Sequence, residues 1–155
     1  MNGMSLEQLR AIESVCATAI EDVVAARRPN DLEALRAALR EDADVPPALR
    51  QNAIHILGRW GDPESAAAIR SLLPRFDERE RINAVDALGR IGGPDAETAV
   101  LQMTDDESPD VRRFAAYALS NLGTAAGQDR LRDMEETDPV QFVRAAAARS
   151  RRGEE

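Results

Sequence analysis

The chain repeats itself every 31 residues, and that period limits its fold more than any other feature. Residues 49–63, 80–94 and 111–123 align without a gap, with Leu57, Leu88 and Leu119 in one register. A fixed period of this size marks a solenoid, in which each unit buries its apolar face on its neighbours. Prolines and glycines punctuate the units. Pro46, Pro63, Pro94, Pro109 and Pro139 stand where helices should begin, because proline lacks only an N–H that the first turn leaves orphaned. Asp62, Ser108 and Asp138 immediately precede three of them and suit N-caps. Gly61, Gly92 and Gly123 fall where the first helix of each unit should end on a left-handed residue. Each unit therefore reads as helix A, a tight turn, helix B and a short acidic loop.

The aligned columns separate inside from outside. Ala53, Ala84 and Ala115 form one apolar column of helix A; Ile54, Val85 and Ala116 form another, beside Leu57, Leu88 and Leu119. In helix B, Ile69, Val100 and Leu131 align, as do Leu72, Met103 and Met134. Trp60 shares its turn position with Ile91 and Leu122, so it reads as a plug between repeats. Ahead of the regular units, Ser5 and Gln8 fit a capping box. Leu6, Leu9, Ile12, Cys16, Ile20 and Val23 then trace one apolar stripe at helical spacing. That stripe predicts a single helix ending near Arg28. Asn30, with Glu33 three residues on, predicts the cap of the next.

Composition narrows the function. The chain has 155 residues and a net charge of −8; all 20 basic residues are arginine, and aromatics are only 3%. Abundant alanine fits closely packed helices. A nucleic-acid binder needs a basic footprint to release counterions, and the overall balance is the opposite. The lone Cys16 excludes an internal disulfide. No apolar run approaches the ~20 residues of a membrane span, and the first residues carry acids rather than the apolar stretch of a signal peptide. A soluble cytoplasmic protein is the expectation.

The pattern Val111-Arg112, Ala115-Ala116, Ala118-Leu119, Leu122-Gly123 resembles HEAT-like repeats, of the short type also seen in phycobilin lyases. Residues 49–63 and 81–94 match it, residues 45–150 follow it well, and 5–44 loosely. The resemblance implies an all-α, right-handed α-solenoid of antiparallel helix pairs, with about four pairs plus a terminal helix. It divides the single domain into a divergent helix pair at 5–44, regular repeats at 45–77, 78–107 and 108–137, and an unfinished repeat at 138–152. HEAT repeats often set a loop Asp six residues before a helix-A Arg. Asp44 and Arg50, Asp106 and Arg112, and Asp138 and Arg144 keep that spacing. Arg75 breaks it before Arg81, leaving Asp77 to substitute.

No constellation for catalysis stands out. His55 is the only histidine, aligned with Asp86 and Tyr117. With one histidine and one cysteine at unrelated positions, no metal cluster is expected, and there is no lysine for a Schiff base. No cofactor is expected. What remains is surface. The resemblance implies that helix B lines the concave side. Its exposed columns there include Arg70, Leu101 and Arg132; Ser71, Gln102 and Asp133; and Thr98 and Asp129. These are the candidate partner-binding residues. Phe114 and Tyr117, replacing polar equivalents in other repeats, form a candidate second patch on the opposite face.

The function expected is a non-catalytic protein–protein interaction or scaffold module binding a partner through the concave helix-B surface. The alternative implied by the resemblance is a phycobilin-lyase-like subunit handling a tetrapyrrole or other cofactor on a partner protein. Nucleic-acid binding, as in HEAT-like alkylpurine DNA glycosylases, is opposed by the acidic balance. The irregular first 44 residues and the break at Arg75 oppose an idealised, engineered repeat. An uncapped C-terminal edge would favour self-association.

Overall fold

Residues 4–154 are described in the computed structural model. The first unit is α1 (Leu6–Ala17), α2 (Ile20–Ala26) and α3 (Pro29–Ala37). Three helix pairs follow: α4 (Pro47–Trp60) with α5 (Ser65–Leu72), α6 (Glu78–Ile91) with α7 (Gly93–Met103), and α8 (Pro109–Leu122) with α9 (Ala125–Thr137). The last helix is α10 (Gln141–Arg152). The expected all-α solenoid is therefore present.

The expected single helix from Ser5 to Arg28 is broken. Its start is as the sequence predicts: Ser5 and Gln8 exchange hydrogen bonds of 2.9 and 3.1 Å in a capping box. At Thr18 the backbone turns extended and the Thr18 hydroxyl donates to the Ser14 carbonyl, so α1 stops there. The break frees α2 to lie on α4. The Trp60 indole N–H donates to the Val24 carbonyl at 3.1 Å, and Trp60 is buried, a plug as expected. Asn30 is not a cap: Arg28 holds that position and Pro29 opens α3.

Two of the three expected N-caps are also displaced. Ser108 does accept from the Val111 N–H at 3.4 Å. Asp62 instead accepts from the Ser65 hydroxyl, ahead of an α5 capped at Glu64. Asp138 accepts from the Val140 N–H at 2.9 Å, and α10 begins only at Gln141. Both carboxylates are claimed by arginines of the preceding unit, as described below. Gly61 and Gly123 close their helices in the left-handed region, whereas the α6–α7 turn uses positive φ at two successive glycines, Gly92 and Gly93.

The helix-A columns at Ala53, Ile54 and Leu57 and their equivalents are all buried. In helix B, Ile69, Val100, Leu131, Leu72 and Met134 are buried, while Met103 is half-buried. The first helices, α4, α6, α8 and α10, lie side by side in one layer, and small residues set their spacing. A Cβ on Gly58 would meet the Ala87 Cα at 2.8 Å, and one on Gly89 would meet the Ala118 Cα at 2.9 Å. The second helices, α5, α7 and α9, approach one another less closely. The sequence reading put the inner surface on helix B; the closest helix–helix approaches lie in the helix-A layer.

Candidate functional site

Arginines of the α4–α10 layer stitch the units together. Arg112 donates from Nη1 to the Asp106 carbonyl at 2.9 Å, six residues back, and Arg144 does the same to Asp138 at 2.6 Å. Two of the three expected Asp–Arg pairs are therefore realised, through the carbonyl; Arg50 bonds the Ala43 carbonyl rather than Asp44, and Asp77, expected to substitute before Arg81, caps α6 instead. The carboxylates face the unit before. Arg81 holds Asp106 at 2.8 Å, and Arg112 holds Asp138 at 2.8 Å, with side chains at most 16% exposed. Arg36 grips Asp62 in the first junction. Burial pushes the Asp138 carboxyl up. Hydrogen bonds from Arg112 and the Val140 N–H, with the nearby Arg charges, outweigh that and hold it below its ordinary value. Asp62 follows the same balance with Arg36 and Ser65.

One rung is missing. Asp106 lies 25 residues after Arg81, and the position 25 after Arg50 is Arg75. Arg50 donates to the Ala38 and Ala43 carbonyls and Arg75 to the Glu41 carbonyl, so both guanidiniums converge on one loop. Desolvation, then the Arg75 charge, pulls the Arg50 guanidinium below its ordinary value.

A groove of about 700 Å3 crosses α4, α6 and α8, with Ile20 of α2 as one wall. Ile82 and Phe114 give it apolar floor, Gln51, Asn52, His55 and Asn83 give it polar groups, and Asp77, Glu80 and Asp86 outnumber Arg79 among its charges. The Asn83 amide donates to the Gln51 carbonyl at 3.1 Å and to its Oε1 at 2.7 Å. Gln51 Nε2 is buried and has no acceptor among the described residues. Phe114, expected on an outward face, lines this groove. It meets Tyr117 edge to face at 5.9 Å.

The helix-B candidates lie on the other layer. Arg70 pairs with Asp95 at 2.9 Å and Arg132 with Asp129 at 3.2 Å, both in exposed bridges. Arg70 and Gln102 line a smaller pocket of about 420 Å3. Asp133 pairs with Arg130, and Ser71 donates to the Ala67 carbonyl. Thr98 donates to the Pro94 carbonyl, and Leu101 is half-buried. Of the eight, Arg70 and Gln102 line that pocket and the other six do not.

Sequence reasoning missed Phe142. It is 44% exposed, and Arg113 lies 5.5 Å from its ring and 5.3 Å from that of Phe114. Its rarity was the available signal, since the chain has only three phenylalanines. Cys16 is half-buried; its thiol donates to the Leu49 carbonyl, and burial pushes its pKa up. Among the described residues no three His, Cys, Asp or Glu side chains converge as a metal site requires. No described helix is long and apolar enough to cross a membrane.

The family model for HEAT repeats matches residues 32–97 and 68–151. The chain belongs to the HEAT-repeat family. The matched span takes in every helix of the regular units and α10. Among solved structures, the HEAT-repeat chain is similar to one in the complex of CpcE and CpcF of phycocyanin lyase from Nostoc sp. PCC7120. The two are 20% identical with a TM-score of 0.64, over 91% of this chain and 98% of that one. The likeness is one of fold. No curated protein matches.

Proposed function

We propose that this HEAT-repeat chain is a non-catalytic scaffold module that holds a protein partner along the α4–α6–α8 face. The groove of about 700 Å3 carries this reading, being open and lined by apolar, amide and charged groups. The test is capture of partners from the native host by three forms: the intact chain, Asn52→Arg/Asn83→Arg, and Arg70→Glu/Arg132→Glu. Loss with the asparagine pair alone supports the groove. Loss with the arginine pair alone moves the site to the helix-B column, a second reading favoured by the pocket that Arg70 and Gln102 share.

A lyase-like role is the alternative. The likeness to a chain of the phycocyanin lyase complex supports it, together with the two named proteins of that complex. A visible absorbance shift on titrating the chain with a free bilin would favour it. Self-association belongs to the same family of readings, and light scattering that gives a monomer at high concentration removes it.

A further inference from the structure

Charge is unevenly divided between the two helix layers. Helices α4, α6, α8 and α10 carry eleven arginines against four acids. Helices α5, α7 and α9 carry three against six. The arginine excess gathers at the α8–α10 end, where the two helices carry six arginines against Asp110, whereas the groove end carries Asp77, Glu80 and Asp86 against Arg79. Arg50, Arg81, Arg112 and Arg144 of that layer turn back onto loop carbonyls. Of the seven that remain, five are paired with carboxylates, and Arg79 and Arg149 are in no ion pair among the described residues.

The same layer holds an aromatic cluster, with Tyr117 and Phe142 exposed and Phe114 half-buried. Phe114, Tyr117 and Phe142 are three of the five aromatics in the chain. Phe142 is 44% and Tyr117 37% exposed, and the Arg113 guanidinium sits between the two phenylalanine rings. Tyr117 packs edge-on against Phe114, which continues into the groove. Arg149, exposed on α10, follows Tyr117 one repeat on. Aromatic and arginine side chains on a rigid helix face are the residues that carry most binding energy at interfaces.

Resting on the scaffold reading, we infer that the α8–α10 end of this face docks an acidic protein segment carrying an aromatic or large aliphatic anchor. The anchor packs among Phe114, Tyr117 and Phe142. Its carboxylates meet Arg113 and Arg149, where charge complementarity selects the partner and speeds encounter. A nucleic acid fits this face less well. Asp86 and Asp110 lie on the same layer, and each holds a neighbouring arginine, Arg90 at 3.0 Å and Arg113 at 2.8 Å. A run of closely spaced phosphates would meet both acids at once, whereas a single carboxylate beside the anchor has only Asp110 to displace from Arg113.

The experiment is fluorescence anisotropy with a labelled peptide of glutamate, leucine and tryptophan. A matching peptide with lysine for glutamate and a labelled oligothymidine serve as comparisons. The acidic peptide should bind, weaken with added salt, and lose roughly tenfold or more in affinity to Tyr117→Ala/Phe142→Ala and to Arg113→Glu/Arg149→Glu. Arg70→Glu/Arg132→Glu should bind as the parent does. If a double variant fails to fold by circular dichroism, Phe142→Ser and Arg149→Glu, both at exposed positions, replace it. The inference is overturned by no binding of the acidic peptide, by equal binding of the lysine peptide, by tighter binding of oligothymidine, or by variants that bind like the parent. A native partner captured equally by the parent and Phe142→Ala keeps the scaffold reading and sinks this inference. Normal peptide binding with no native protein partner does the reverse.

Discussion

Gly58 and Gly89 set the distance between first-layer helices, because at each a side chain would strike neighbouring backbone rather than a movable side chain. Gly58→Ala tests this. Alanine gains about 1 kcal/mol over glycine in a helix interior. A Cβ 2.8 Å from the Ala87 Cα forces α4 and α6 apart, and overpacking of this kind costs about 1–3 kcal/mol. The clash is with backbone, so the net effect is a loss of up to about 2 kcal/mol in denaturant unfolding; a more stable variant would refute the close-packing account. Asp138 is the second residue with a large expected effect. Asp138→Asn leaves Arg112 without its charge partner at a buried junction, at a cost of about 3 kcal/mol. The same residue shapes the acid response. Asp62 and Asp138 are both held below the ordinary carboxylate value, so their stabilisation is complete above the unfolded value, about 3.9, and is lost as pH falls through the folded one. Melting followed from pH 5 to pH 2 should show a steep decline in the parent and a shallower one in Asp138→Asn.

Between elements, the decisive unit is the junction, and the junction of α3–α4 with the Leu73–Arg75 turn is the defective one. Arg75→Asp places a carboxylate where Asp106 and Asp138 sit in later junctions, opposite Arg50. It gives up the bond to the Glu41 carbonyl but removes a like-charge contact, so a gain of about 1 kcal/mol is expected in chemical unfolding. A loss would mean that Arg75 earns its place through the loop carbonyl. This defect was legible in the sequence because the period fixes which residues are equivalent. The core columns were legible for the same reason. The break between α1 and α2 was not, since the apolar stripe from Leu6 to Val23 runs on through Thr18 without interruption. The groove was half legible. Phe114 and Tyr117 stood out where other repeats are polar, but how closely neighbouring helices approach did not. The glycine–alanine contacts set that distance, and no single repeat displays them.

At the scale of the molecule, a solenoid holds together through neighbours, so its parts can open separately. The units here are unequal. Helix α1 buries only Ile12 and Val15, and α2 only Val23, whereas α6 buries Ala84, Val85, Ala87, Leu88 and Gly89. The α2–α4 contact rests on the Trp60–Val24 bond and an exposed Arg59–Glu21 bridge, and exposed bridges contribute little. Native-state hydrogen exchange should therefore show α1 and α2 opening at a clearly lower free energy than α6 and α8. Trp60→Phe, which keeps the ring but removes the indole donor, should widen that gap while leaving α6 and α8 protected. Uniform protection along the chain would instead mean that the stack unfolds as one unit. Since Ile20 of α2 is a wall of the groove, the same local opening would widen the docking face without disturbing the rigid helices that carry its asparagines and aromatics. Slowed exchange in α2 on binding a partner would report occupation of the groove directly.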